Sequence, residues 1–295
     1  MGESTVTADR TILVTGITGR QGGATASALA GSGFRLRGLT RKPDGDVAQQ
    51  FARAGVTIVQ GDFDDADSLR RPLEGVWGVF AMQNTWEAGV EKEEVQGKRL
   101  ATMAREAGVH HFVYTSVGSA HRGTGIPHFD NKWRIEETIR ALGFPSHVVV
   151  RPVFFMENMI SPWFLHGDRI ESGLKPDTVL QMIAVRDIGQ YGARAFTDAE
   201  RLNGRAIDLA GDALTLAQAA RALSAGLGRT IEYAQVPIAQ IRKNSEDFAL
   251  MLEWFERVGY DADIADLERE FEIRPTKFET WAAQLPAVTM GGSIL

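Results

Sequence analysis

The 295 residues include no cysteine, which removes a disulfide framework, a thiolate nucleophile and a Cys-ligated metal together. Nor is there an excess of positive charge: 32 Lys and Arg against 38 Asp and Glu leave a formal net charge of -6. Binding along a phosphate backbone needs clustered cations, and the chain has no such run, so nucleic acid is not expected as a direct partner. No apolar stretch approaches the roughly 20 residues of a membrane span, so no membrane association is expected. No set of His, Asp and Glu has the spacing of a metal site, and neither a fixed-period repeat nor a low-complexity segment occurs. The opening MGESTVTADR lacks the basic start and apolar centre of a secretory signal. Val6 stands where a myristoylation signal favours Ser or Thr. The expectation is a cytoplasmic globular protein, and a hydrophobic content of 44% is enough for a buried core.

Short β-branched runs alternate with Ala-rich and charged stretches through the first half. TILVT, FRLRGLT, VTIVQG, WGVFAM, HFVYTS and HVVVRP read as strands. The segments between them, such as DVAQQFARAG and KEEVQGKRLATMAREAG, read as helices, several of them closed by glycine. Six strands alternating with helices predict an α/β fold, a doubly wound parallel Rossmann sheet, whose ligands bind beyond the carboxyl ends of the strands. After Arg151 the alternation loosens into an aromatic segment and amphipathic helical stretches, among them AQIRKNSEDFALMLEWFERVGY read as one helix. We therefore expect a dinucleotide-binding domain over 1–153 and a smaller, mostly helical domain over 154–295, with part of 179–210 returning to the first.

Directly after the first strand, TGITGRQGG places Gly16, Gly19 and Gly22 as GxxGxxG, with Thr18, Arg20 and Gln21 between them. Glycines suit a strand that turns tightly into a helix whose first amides face a pyrophosphate, because a Cβ would block the approach. The same triplet also serves a turn with only a structural role, but a strand before it and an Ala-rich helix after it favour a dinucleotide. About 20 residues on, where an NAD site carries an acidic residue for the ribose, the sequence reads LTRKP, with Arg41 and Lys42. A guanidinium and an ammonium pair well with a 2′-phosphate, so NADP(H) is expected in preference to NAD(H). The alternative is that both cations only face solvent. Asp62 and Phe63, beyond the third strand, are placed to meet the adenine.

These motifs, with VQGDFDD, NTWE, HFDNKWRIEETIRALG, VRPVFFMEN and the late IRPTKFETWAAQ, resemble the NmrA-like family of atypical short-chain dehydrogenases/reductases, in family order over nearly the whole chain. The resemblance implies a Rossmann domain with a small C-terminal domain closing over an NADP(H) cleft. It places Gly16, Thr18, Gly19, Gln21 and Gly22 at the pyrophosphate, Arg41 at the 2′-phosphate and Asp62 with Phe63 at the adenine. Gln83, Asn84, Phe155 and Asn158 would lie beside the nicotinamide half, and Lys132 would bond its ribose. Members include reductases of quinones, dyes and other small electrophiles, and non-catalytic proteins that sense the cofactor's redox state for a regulatory partner.

Typical short-chain dehydrogenases carry Tyr and Lys four residues apart, with a Ser ending the preceding strand. Here Lys132 is present and Ser116 ends VYTS, but His128 stands at the tyrosine position. Histidine can donate a proton near neutral pH, yet its reach is shorter, and one at a helix start can instead meet solvent or a backbone carbonyl. His110 and His111, before a strand, read as structural. Phe154, Met156, Met159, Trp163 and Phe164, with Met82, Trp86 and Met182, supply an apolar set that suits either a flat hydrophobic substrate or a domain core. Two functions compete. One is an NADPH-dependent reductase passing hydride to a small apolar quinone, enone or imine; the other is a cofactor sensor with a protein partner. Monomer and homodimer are both compatible with the sequence.

Overall fold

The computed structural model describes residues 10–286, and the opening segment up to residue 9 lies outside them. The first half runs as β1 (Thr11–Thr15), α1 (Arg20–Leu29), β2 (Arg35–Thr40), α2 (Asp46–Arg53), β3 (Thr57–Gln60) and α3 (Ala66–Leu73). It continues as β4 (Gly78–Ala81), α4 (Thr85–Ala88), α5 (Val90–Glu106), β5 (His111–Thr115), α6 (Pro127–Leu142) and β6 (Ser146–Pro152). Then follow β7 (Phe154–Phe155), β8 (Leu165–His166), β9 (Arg169–Ser172), β10 (Val179–Ile183), α7 (Val185–Thr197), α8 (Ala199–Leu202) and β11 (Ala206–Leu209). The last part holds β12 (Asp212–Thr215), α9 (Leu216–Leu227), β13 (Glu232–Gln235), α10 (Ile238–Asn244), α11 (Glu246–Arg257), α12 (Ile264–Phe271) and α13 (Phe278–Ala283).

The main sheet has the order β11-β6-β5-β4-β1-β2-β3, and the pairs from β6 through β3 are parallel. Six strands were expected; β11, with the sequence AIDL, is the seventh. Parallel strands covered on both faces read as continuous apolar runs, and β4 and β5 are buried at every position. On one face α5 and α6 pack through Leu100, Ala101, Ala104, Ile135 and Ile139 onto Leu13, Val79 and Phe112. Gly97 permits this closeness, since a Cβ there would press into Ile135. On the other face α7 lies against α1, with Gly189 set on the backbone of Ala24.

The amino ends of the strands are tied down around His111, whose ring nitrogens meet Ser146 Oγ at 2.8 Å and the Ala195 carbonyl at 2.9 Å. Burial depresses its pKa to about 4, against the bond to Ala195. It is a neutral structural histidine.

The chain divides into two compact units. The first comprises 10–123, 127–151 and 188–208 of the described residues, and the second takes up Thr124–Ile126, Pro152–Asp187 and the chain from Leu209. The part of 179–210 that falls in the first unit is 188–208, while β10 pairs with β12 and β7 in a small sheet of the second unit. A second three-stranded sheet orders β13-β9-β8, and α9 carries a capping box between Thr215 and Gln218. The stretch read as one long helix is two: Ser245 interrupts it and caps α11 by accepting from the Phe248 amide at 3.2 Å. The late IRPTKFETW motif clamps the start of α7, since Asp187 accepts from the Thr276 amide and hydroxyl at 2.6 and 2.8 Å.

Candidate functional site

β1 and β4 are sheet neighbours whose following helices lie on opposite faces, so a crevice opens at their carboxyl ends. Gly16 ends β1 with φ +60°, and a Cβ there would strike the Met82 side chain. Gly19 is the N-cap of α1, extended and without a side-chain cap. Gly22 lies so close that a Cβ would collide with the carbonyl oxygens of Thr15 and Gly16. Gly22 has no room for a side chain and Gly16 is left-handed against Met82, while a Cβ at Gly19 would stand 3.3 Å from the Gly16 carbonyl oxygen.

A cleft of about 680 Å³ follows the loop and brings together Gly16, Thr18, Gly19, Arg41, Lys42, Asp62, Phe63, Met82, Gln83 and Asn84. Arg20 is exposed at the start of α1 and does not line it. Gln21 faces β5 instead, its Oε1 accepting from Thr115 Oγ1 at 2.6 Å. Sequence reasoning missed Asp64, Glu87, Lys92 and Gln96, which also line the cleft. Arg41 pairs with Glu87, and the hydrogen bond from that carboxylate raises the guanidinium pKa. Lys92 and Gln96 bind Asp64 at 2.6 and 2.9 Å, and these bonds hold the Asp64 carboxyl below its usual range. Both ion pairs are more than two-fifths exposed.

Gln83 is 4% exposed, and neither polar atom of its side-chain amide has a partner among the described residues. Such a group is costly to bury unsatisfied, so it marks a place where a ligand is expected. Asn84 spends its side chain on capping α4, accepting from the Trp86 amide at 3.1 Å.

Pro127 opens α6, the favoured place for proline, which sets His128 and Lys132 one turn apart. His128 does not reach solvent: it is 6% exposed and lies between the rings of Trp86 and Phe129, at 5.2 and 4.8 Å. Trp86, half exposed, covers it. Ser116 is buried just after β5, its hydroxyl unpartnered among the described residues. Lys132 binds Glu93 at 2.5 Å, an acid on α5 that is wholly buried. Glu93 also accepts from Thr85 Oγ1 and, at 2.9 Å, from Asn131 Nδ2. Burial pushes the Glu93 carboxyl up, but the Lys132 charge and these three hydrogen bonds outweigh it and leave the pKa below the usual range.

The remaining candidates belong to the second unit. Phe154, Met156 and Met159 are not open lining: they are buried, with Phe154 edge-on to Phe164 and Phe255. Their burial has the ordinary reason that an aromatic and thioether run packs a core. Phe164 and Met182 are buried with them. Phe155 pairs with Ile183 in the small sheet. Asn158 closes a turn through its carbonyl, which accepts from Ser161. Trp163 is 60% exposed, beside Phe248.

Among known proteins, the chain is 29% identical over 287 residues to a (4-alkanoyl-5-oxo-2,5-dihydrofuran-3-yl)methyl phosphate reductase of Streptomyces griseus, covering 92% of this chain and 97% of that one. Its fold is that of NmrA, a negative transcriptional regulator solved in complex with NADP (TM-score 0.78, 23% identity, 94% and 95% of the two chains). It matches equally an NADPH-dependent quinone oxidoreductase of Escherichia coli solved with NADPH (TM-score 0.77, 22% identity, 92% and 98%). The model of the NmrA-like family matches residues 8–284, and the chain belongs to that family.

Proposed function

We propose that the protein is an NADPH-dependent reductase of a small apolar electrophile. The observation that carries this reading is the cleft itself, in which side-chain-free glycines, Arg41 with Lys42, and the unpartnered amide of Gln83 line one cavity. These residues fit a dinucleotide phosphate: the glycines leave room for a pyrophosphate against the backbone, and the cations complement a 2′-phosphate. Asp62 and Phe63 would meet the adenine, and Gln83 the carboxamide side. Asn84 lines the cleft while its Oδ1 caps α4. When bound, the reduced nicotinamide supplies a hydride to the acceptor. The chain's own part is to orient that cofactor, with Lys132 donating to the ribose and Ser116 offering a free hydroxyl to an acceptor oxygen. The Streptomyces relative reduces an unsaturated lactone, by its name, which puts conjugated carbonyls first among acceptors.

The burial of His128 beside Trp86 favours a second reading, a cofactor sensor such as NmrA, because it leaves one candidate proton donor away from solvent. NADPH consumption across butenolides, enones, quinones, imines and aromatic dyes, with NADH in parallel, decides between them. Turnover that prefers NADPH is the expected result; tight binding without turnover on any acceptor supports the sensor.

A further inference from the structure

We infer that Glu93 positions Lys132, holding its ammonium in one place as a standing cation for the ribose of the bound cofactor. The inference rests on the cofactor reading above. A lysine on its four-carbon stem has many rotamers to lose, so an ammonium that must meet two hydroxyls gains from an anchor. Glu93 is built as one. It has no exposed surface, and donors converge on it from two other helices. Thr85 of α4 and Asn131 of α6 both donate to Oε2, and Lys132 of α6 donates to Oε1 at 2.5 Å. The neutral donors take one oxygen and so turn the other toward the ammonium. Asn131 is itself held, since the same Nδ2 donates to the Val90 carbonyl at 2.8 Å.

An ammonium has three donors and Glu93 takes one, which leaves two for a ligand. The Lys132 side chain keeps 12% of its surface, so these are not sealed off. Lys132 held in this way binds and orients the ribose.

Calorimetric titration with NADPH and with adenosine 2′,5′-bisphosphate, which lacks the nicotinamide ribose, tests this on the whole chain. Glu93→Gln is expected to weaken NADPH about tenfold, the scale of one hydrogen bond to a charged group, and to leave the bisphosphate unchanged. Lys132→Met should weaken NADPH similarly, and Glu93→Gln added to it should cost nothing more. An unchanged NADPH affinity in Glu93→Gln overturns the inference. So does equal weakening of both ligands, or a Glu93→Gln effect that persists in full beside Lys132→Met, because either marks a merely structural acid. Where Glu93→Gln does not fold, Glu93→Asp carries the same comparison of the two ligands. Failure of the unsubstituted protein to bind NADPH would instead overturn the cofactor reading, with this inference following it.

Discussion

Two lysines of α5 and α6 that meet acids, Lys92 and Lys132, belong to unlike surroundings. Lys92 and its partner Asp64 are 54% and 42% exposed, as Arg41 and Glu87 are also exposed, whereas Lys132 is 12% exposed and Glu93 fully buried. Exposed ion pairs contribute little because water already solvates both charges and salt screens them. A buried pair is different in kind: its net contribution is modest, but removing one partner strands a charge out of water. The cleft thus has a rim of exchangeable charges, suited to an incoming phosphate, whereas the Lys132–Glu93 network is buried.

The largest effect should come from breaking that network. Glu93→Ala leaves Lys132 unpaired and is expected to cost about 3–5 kcal/mol of stability, read as a fall in Tm; an unchanged Tm would place Glu93 in solvent contact. His111 provides the control for burial without a ligand. Its folded pKa of about 4 lies below the unfolded value near 6.5. Folding therefore releases the proton, and the stability is complete above pH ~6.5 and lost as pH falls toward ~4, by roughly 3 kcal/mol. His111→Asn should flatten that part of the Tm profile, and an unaltered slope would assign it to other groups. At the rim, Arg41→Ala should weaken NADPH about tenfold or more and NADH little, with Tm unmoved. Equal loss of both cofactors would remove the 2′-phosphate role. Smallest of all, Glu87→Gln should free Arg41 and tighten NADPH a few-fold at low salt, an advantage that fades as salt is raised. If NADPH binding weakens instead, Glu87 helps to hold the cofactor.

Much of the cleft could be read in advance because its determinants are local. Glycines at a strand-to-helix turn, cations at the end of β2 and acids after β3 are set by their place in successive βα units. Lys132 was found through the family resemblance, but Glu93 was not: it sits within KEEV among other charges, on what reads as an ordinary solvated helix face. Likewise Gln21 looked like a phosphate contact until Thr115, 94 residues away, claimed it. The aromatic run after Arg151 carries no signal that separates a pocket wall from a core.

By itself, then, the sequence determined the alternating α/β pattern, the glycine turn and the charge at the end of β2, since each depends on backbone conformation and neighbours within a few residues. Only the tertiary structure decided which acid meets Lys132, that Trp86 covers His128 and that Phe154, Met156 and Met159 are core. These depend on helices packing across long separations, as when Gly97 lets α5 approach α6 and brings Glu93, 39 residues distant in sequence, to the ammonium.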